Sequence, residues 1–213
     1  MHSLFLILTI PLAFLTGSIP FGLIFTKNRG IDIRNMGSRN IGATNVLRYA
    51  GRMTAIMTLV ADVMKGVAPV LICRYVILNM AHDHDMTVSD QIFWEGMTGI
   101  AAVCGHIFSI FLRFRGGKGV ATGFGVIAVY TPMTALPVLI IWLVVAVIAK
   151  YSSLAAILAV GSLPILYLLQ NAPVAHVIFG ILLSALIMYR HKSNIQNLLS
   201  GKEDKIGEKD TEG

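Results

Sequence analysis

Charge, cysteine and a cleavable leader are what this sequence has little of, and each shortage excludes something. Only 13% of its 213 residues are charged, against 55% hydrophobic. A soluble domain of this length carries about twice that charged fraction, so a soluble enzyme is excluded. One membrane domain is expected over residues 1–200. The two cysteines, Cys73 and Cys104, lie in apolar stretches without metal-ligand spacing. They exclude a disulfide framework and are expected as buried reduced thiols. The chain starts Met1-His2 with no basic leader region, and its first apolar run continues to about Phe25 with no small-x-small pattern behind it. That is a retained span, not a signal peptide. The net charge of +6 does not require nucleic acid, because basic residues in short loops are what the positive-inside rule demands.

What is present is a series of apolar runs long enough to cross a bilayer. Seven are expected: Leu4 to Thr26, Met53 to Ile77, Ile92 to Leu112, Val120 to Tyr130 and beyond, Pro137 to Ala149, Ser153 to Leu169, and Pro173 to Tyr189. The fourth and fifth fall short of the ~20 residues a span needs. They are tilted or half-spans, or Pro132 and Pro137 mark a tight turn between them. The loop after the first run holds Lys27, Arg29, Arg34, Arg39, Arg48 and Arg52 against Asp32 alone. The loop after the second holds Asp83, Asp85 and Asp90 with His82 and His84. Basic and non-basic loops alternate to the end, where Arg190, His191 and Lys192 close the last run. The expectation is an all-α polytopic membrane protein of about seven transmembrane helices, N-terminus outside and C-terminus cytoplasmic. Arg74 is the misfit and is assigned to snorkel outward. The stretch 201–213 is rich in Lys, Glu, Asp and Gly and is expected to be a disordered cytoplasmic tail. The His82–Asp85 cluster has metal-ligand residue types, but an outer loop of mixed His and Asp is ordinarily just solvated.

Three polar motifs fall in the basic loops. In Gly37-Ser38-Arg39-Asn40-Ile41-Gly42-Ala43-Thr44-Asn45-Val46-Leu47-Arg48, Ser38 or Asn40 can cap a helix start and leave N–H groups facing an anion. Ile41, Thr44 and Arg48 then share one helical face, and an Arg fork matches two phosphate oxygens. Gly116-Gly117-Lys118-Gly119 precedes a helix N-terminus. Its glycines can aim successive N–H groups into one concavity, with Lys118 adding a full charge. A flexible basic turn is the equally weighted alternative. It is no nucleotide-binding P-loop, since Leu112 stands where the first glycine belongs and Gly119 replaces the Ser/Thr. In Arg190-His191-Lys192-Ser193-Asn194, His191 and Asn194 share a face. A cytoplasmic His191 can serve as a phosphate donor or a proton acceptor, and a charge cluster that anchors the span is the more heavily weighted alternative. His106 inside the third run is either functional or a core histidine bonded to a carbonyl. Asp62 and Lys65, one helical step apart, are expected to pair or to face a polar cavity.

Five motifs occur in one order: GSIPFG at 17–22, GSRNIGATNVLR at 37–48, DVMKG at 62–66, GHIFSIFLRFRGGKGVAT at 105–122 and RHKSNIQNLL at 190–199. In this the chain resembles the bacterial acyl-phosphate–glycerol-3-phosphate acyltransferases, seven-span membrane enzymes. The resemblance implies transfer of an acyl group from acyl phosphate to the 1-hydroxyl of sn-glycerol 3-phosphate, giving lysophosphatidic acid and inorganic phosphate. It implies Lys118, His191, Ser38 and Arg48 as catalytic residues, with Asn40, Thr44, Ser153, Asn194 and His106 binding substrate. Gly116, Gly117 and Gly119 would hold the acyl phosphate. It implies no metal or coenzyme, the bacterial inner membrane with a cytoplasm-facing site, and an acyl-phosphate-forming enzyme as partner. Thioester-dependent acyltransferases carry Asp five residues after a His. Here those positions are Ile7, Thr87, Ser89, Phe111, Ile181 and Gln196. The family has Gly where Arg39 stands and Pro where Ser109 stands. The rival class is an organic-phosphate transporter, which requires polar residues through the outer halves of the spans. Those halves are nearly all apolar.

Overall fold

The structure is a computed structural model, and it describes residues 2–80 and 86–207. The His82–Asp85 loop therefore lies outside the described residues. All regular structure among those residues is helical. In lipid no water can satisfy a free backbone group, so an apolar segment must close its hydrogen bonds within itself. The helices are α1 (His2–Ser18), α2 (Phe21–Lys27), α3 (Ala43–Ala50), α4 (Arg52–Met80), α5 (Val88–Ile107), α6 (Val120–Tyr130), α7 (Pro132–Ala149), α8 (Ser152–Gly161), α9 (Leu163–Leu169), α10 (Val174–Arg190) and α11 (Lys192–Leu199). Single 3-10 turns occupy Ile33–Asn35 and Ile110–Leu112.

Helical segments stand at all seven expected runs, but they differ in reach. Among the described residues, five stretches are long and apolar enough to cross: Leu4–Lys27, Arg52–Asn79, Val88–Leu112, Pro132–Ala149 and Ser152–Leu169. α10 joins them only when taken together with α11, which it meets at a 64° bend. The fourth run, α6, has 11 residues. At 1.5 Å per residue it rises about 16 Å, roughly half the hydrocarbon thickness. Thr131 alone separates it from α7, which begins at Pro132 and carries Pro137 inside it, so α6 has the length of a half-span and the turn falls before Pro132 rather than between the two prolines.

Small residues set the helix packing. A Cβ on Gly105 of α5 would stand 2.1 Å from the Phe14 carbonyl oxygen of α1. One on Gly125 of α6 would stand 2.2 Å from the Val63 oxygen of α4. Backbones this close gain dispersion contacts where lipid offers no hydrophobic driving force. Apolar side chains on the outer helix faces, such as Leu8, Leu59, Leu71 and Ile148, stay exposed on the lipid side.

Two polar arrangements depart from expectation. Arg74 does not snorkel: it donates from Nε and Nη2 to Glu95 at 2.8 and 2.6 Å, and to the Val129 carbonyl at 2.9 Å. A bidentate carboxylate on the neighbouring helix removes any need to reach water. Residues 201–207 are also not free of structure. Ile206 N–H donates to the Lys150 carbonyl at 2.7 Å and Lys202 N–H to that of Asn197 at 2.8 Å. The remainder of the predicted tail, 208–213, lies outside the described residues.

Candidate active site

Chain breaks position the site. The first span is interrupted at Ile19-Pro20, because Pro20 cannot donate to the helix ladder. The carbonyls freed there are taken up from other helices. Lys65 Nζ donates to Ile19 at 3.0 Å and the Ser109 hydroxyl to Ser18 at 2.5 Å. Lys65 also pairs with Asp62 at 2.9 Å, with both side chains buried.

The loop from Gly37 leads into α3. Here the helix cap differs from expectation: Gly42, not Ser38 or Asn40, is the N-cap, and no side chain caps it. Ser38 lies in a turn closed by Arg39 N–H on the Met36 carbonyl at 2.9 Å, Asn40 stands two residues before the cap, and Ile41 is a core residue rather than part of the helical face. Thr44 and Arg48 do share that face. Asn45 organises the loop by donating to the carbonyls of Asn40 at 2.9 Å and Met36 at 3.0 Å. Thr44 Oγ1 meets Ser152 Oγ of α8 at 3.3 Å.

The glycine-rich loop is held rather than open. Gly116 N–H donates to the Ile107 carbonyl and Gly117 N–H to that of His106, each at 3.0 Å. Arg190 at the end of α10 donates to the Gly116 carbonyl at 3.0 Å and more weakly to Gly117 at 3.3 Å. The amides of Gly116 and Gly117 are thus committed to the backbone, and these two glycines serve close packing. Gly119, at φ +85°, turns the chain into α6. The first-turn N–H groups of α6 follow it without intrahelical acceptors.

His106 lies beneath this loop. The Thr122 hydroxyl gives its proton to the Asp62 carbonyl at 2.9 Å and stands 3.1 Å from His106 Nδ1. Thr122 can then only accept from the ring, so Nδ1 carries the proton. His191 occupies the corner between α10 and α11, with Nδ1 2.8 Å from the Ile187 carbonyl. That bond also places the proton on Nδ1 and leaves Nε2 as a lone-pair acceptor. Burial is the main force pulling His191 down to about 4, so the ring is neutral at ordinary pH. Burial likewise lowers Lys118 to about 8, partly opposed by the carboxylates of Glu203 and Asp204.

These elements enclose one cavity of about 700 Å³. Ser38, Asn40, Thr44, Arg48, His106, Lys118, Gly119, Ser153, His191 and Asn194 all line it; Gly116 and Gly117 do not. Ser152, Glu203 and Asp204, absent from the sequence-based set, line it as well. Asn45, Asp62, Ser193 and Asn197 line it too, and the rest of the wall is mainly apolar, with Phe124, Ile127, Leu139 and Trp142 among its residues. Four buried side-chain polar atoms among the described residues lack a hydrogen-bond partner: Asn45 Oδ1, Arg48 Nε, Ser153 Oγ and Asn194 Oδ1. All four belong to residues of this cavity. Native interiors rarely leave such atoms unpaired, and a polar ligand among these residues would satisfy them.

Comparison with known proteins follows the same outline. The family model for glycerol-3-phosphate acyltransferase matches residues 7–201. The glycerol-3-phosphate acyltransferase of Geotalea daltonii is 42% identical over 192 residues, 90% of this chain and 93% of that protein. That of Rhizobium meliloti is 44% identical, covering 92% and 90%. A crystal structure of PlsY (YgiH), an integral membrane glycerol 3-phosphate acyltransferase in its glycerol 3-phosphate form, superposes with a TM-score of 0.85 at 37% identity. It covers 95% of this chain and 96% of that one. The lysphosphatidic acid form of PlsY gives a TM-score of 0.82 at 36% identity.

Proposed function

The chain belongs to the glycerol-3-phosphate acyltransferase family and is a membrane acyltransferase, and from that premise we propose the complete reaction. An acyl group passes from acyl phosphate to the 1-hydroxyl of sn-glycerol 3-phosphate. Lysophosphatidic acid and inorganic phosphate leave, at the cytoplasmic face of a bacterial inner membrane. The observation that carries this reading is the set of orphaned polar atoms on Arg48, Ser153 and Asn194 around the same cavity as Lys118. A phosphate offers acceptor oxygens to the Arg48 N–H and the Ser153 hydroxyl, a glycerol hydroxyl can donate to Asn194 Oδ1, and the apolar wall suits an acyl chain.

Mechanistically, the acyl carbon–phosphate oxygen bond breaks as the glycerol oxygen–carbon bond forms. Lys118 and the first-turn amides of α6 face negative charge growing on the departing phosphate. Arg48 and Asn194 hold glycerol 3-phosphate, which turns attack into an effectively unimolecular step. The hydroxyl proton goes to the leaving phosphate. Neutral His191, with Nε2 as its acceptor, orients that hydroxyl and is the alternative base. The Gly116–Gly117 backbone shapes the loop that presents Lys118.

The test is inorganic phosphate release from palmitoyl phosphate by purified protein, with and without glycerol 3-phosphate. Release that requires glycerol 3-phosphate and vanishes in Lys118→Ala is expected. No release from folded protein overturns the assignment of acyl phosphate as donor. Loss in His191→Ala with substrate binding retained would replace the phosphate by His191 as the proton acceptor.

A further inference from the structure

The segment after α11 reads Gly201-Lys202-Glu203-Asp204-Lys205-Ile206-Gly207. Mixed charge of this kind ordinarily remains in solvent. Here the Ile206–Lys150 backbone bond draws it back across the cavity mouth. Asp204 Oδ2 then sits 2.7 Å from Arg48 Nη1, and the Lys205 carbonyl accepts from Arg48 Nη2 at 2.9 Å. Glu203 Oε1 accepts from Asn194 Nδ2 at 2.7 Å. Both carboxylate-bearing residues line the cavity. The two arms of the Arg48 fork are thus filled by two oxygens, as a phosphate would fill them.

The two partners are unequally bound to their surroundings. The Arg48 side chain is 8% exposed and the Asp204 side chain 44%. Arg48 is fixed in the wall, whereas Asp204 can return to water at little desolvation cost.

We infer that Glu203 and Asp204 form an internal anion that competes with glycerol 3-phosphate for Arg48 and Asn194. This rests on the reading that Arg48 holds its phosphate and Asn194 its glycerol part. The segment is a strap: substrate displaces its carboxylates, and its closure lowers apparent affinity by the fraction of time Arg48 is covered. The strap thereby sets the working range for glycerol 3-phosphate, a property of residues 201–207 rather than of the membrane bundle.

Two variants of the purified protein test it, a chain ending at Ser200 and full-length Glu203→Gln/Asp204→Asn. Inorganic phosphate and glycerol 3-phosphate binding are measured by calorimetry, alongside KM. Both variants are expected to bind both anions about fivefold more tightly, the scale of one half-exposed ion pair. In the unmodified chain, amide exchange at 203–206 is expected to rise when phosphate is added. Affinity unchanged or weakened in the full-length variant, or exchange unmoved with phosphate bound, overturns the strap while leaving the acyltransferase site intact. Absence of phosphate binding in all three proteins overturns both the strap and the phosphate reading of Arg48.

Discussion

Lys65 donates to the main-chain oxygen of Ile19 at 3.0 Å, across 46 positions of sequence. One ammonium in the middle of α4 therefore closes the break between α1 and α2, while its pair with Asp62 keeps both charges compensated. Lys65→Met would orphan that carbonyl and leave a buried carboxylate alone. Removing one partner of a buried pair costs about 3–5 kcal/mol. Thermal unfolding in detergent should show the loss, and Lys65→Met/Asp62→Leu should recover part of it. A single variant as stable as the parent would show that the pair does not hold the break.

The glycine-rich loop makes a sharper demand. A Cβ on Gly116 would lie 2.0 Å from the His106 carbonyl oxygen, which already accepts from Gly117. A Cβ on Gly117 would lie 2.1 Å from His106 Nε2, on a ring held by Thr122. Neither neighbour can retreat without moving the loop that carries Lys118. A displacement of ~1 Å at a reacting group costs about a hundredfold in rate. Gly116→Ala and Gly117→Ala should each lose about that much in the phosphate-release rate. Near-parental rates would mean that loop position does not govern catalysis.

The same loop shows what the sequence could and could not convey. Apolar runs marked where helical segments stand, since length and hydropathy are local properties, but not which of those segments are long enough to cross. Polar residues beside glycines, an intramembrane His106 and, for Ser153, the family resemblance alone pointed to ten residues that line the cavity, Arg48, Lys118 and Asn194 among them. Composition does not say whether a glycine amide faces a ligand or a carbonyl, so Gly116 and Gly117 were assigned to phosphate when their N–H groups serve the His106–Ile107 backbone. Arg74 was assigned to water because Glu95, its partner, is 21 positions away. Glu203 and Asp204 fall in a stretch whose composition reads as a disordered tail. Their order depends on Arg48 and Asn194, fixed cavity groups that no local pattern connects to them.

Arg39 supplies a test of local strain. Its φ is +56°, a left-handed conformation that costs a residue with a Cβ about 1–2 kcal/mol and glycine much less. Arg39→Gly should stabilise the protein by about 0.5–1 kcal/mol after the added unfolded-state freedom of glycine is subtracted. A small rise in Tm, with substrate affinity retained, is the expected result. A fall in Tm would mean that the Arg39 side chain contributes more than its backbone costs.

Lys118 should give the reaction its alkaline limit. Burial lowers it to about 8, against an ordinary value of 10.5. A lysine is charged below its pKa, so the form that stabilises a departing phosphate is complete below about pH 7 and is lost as pH rises through 8. The logarithm of kcat/KM, which reports the free enzyme, should therefore fall about one unit per pH unit above 8. Bound anionic substrate favours the charged form, so the corresponding limb in kcat should lie at higher pH. Lys118→Arg should remove the limb from the accessible range, whatever its overall rate, because guanidinium stays charged. Glu203 and Asp204 raise Lys118 by their charge, so Glu203→Gln/Asp204→Asn should move the limb of kcat/KM to lower pH. A kcat/KM profile flat to about pH 9.5 in the parent would mean that the Lys118 charge does not enter the rate-limiting step.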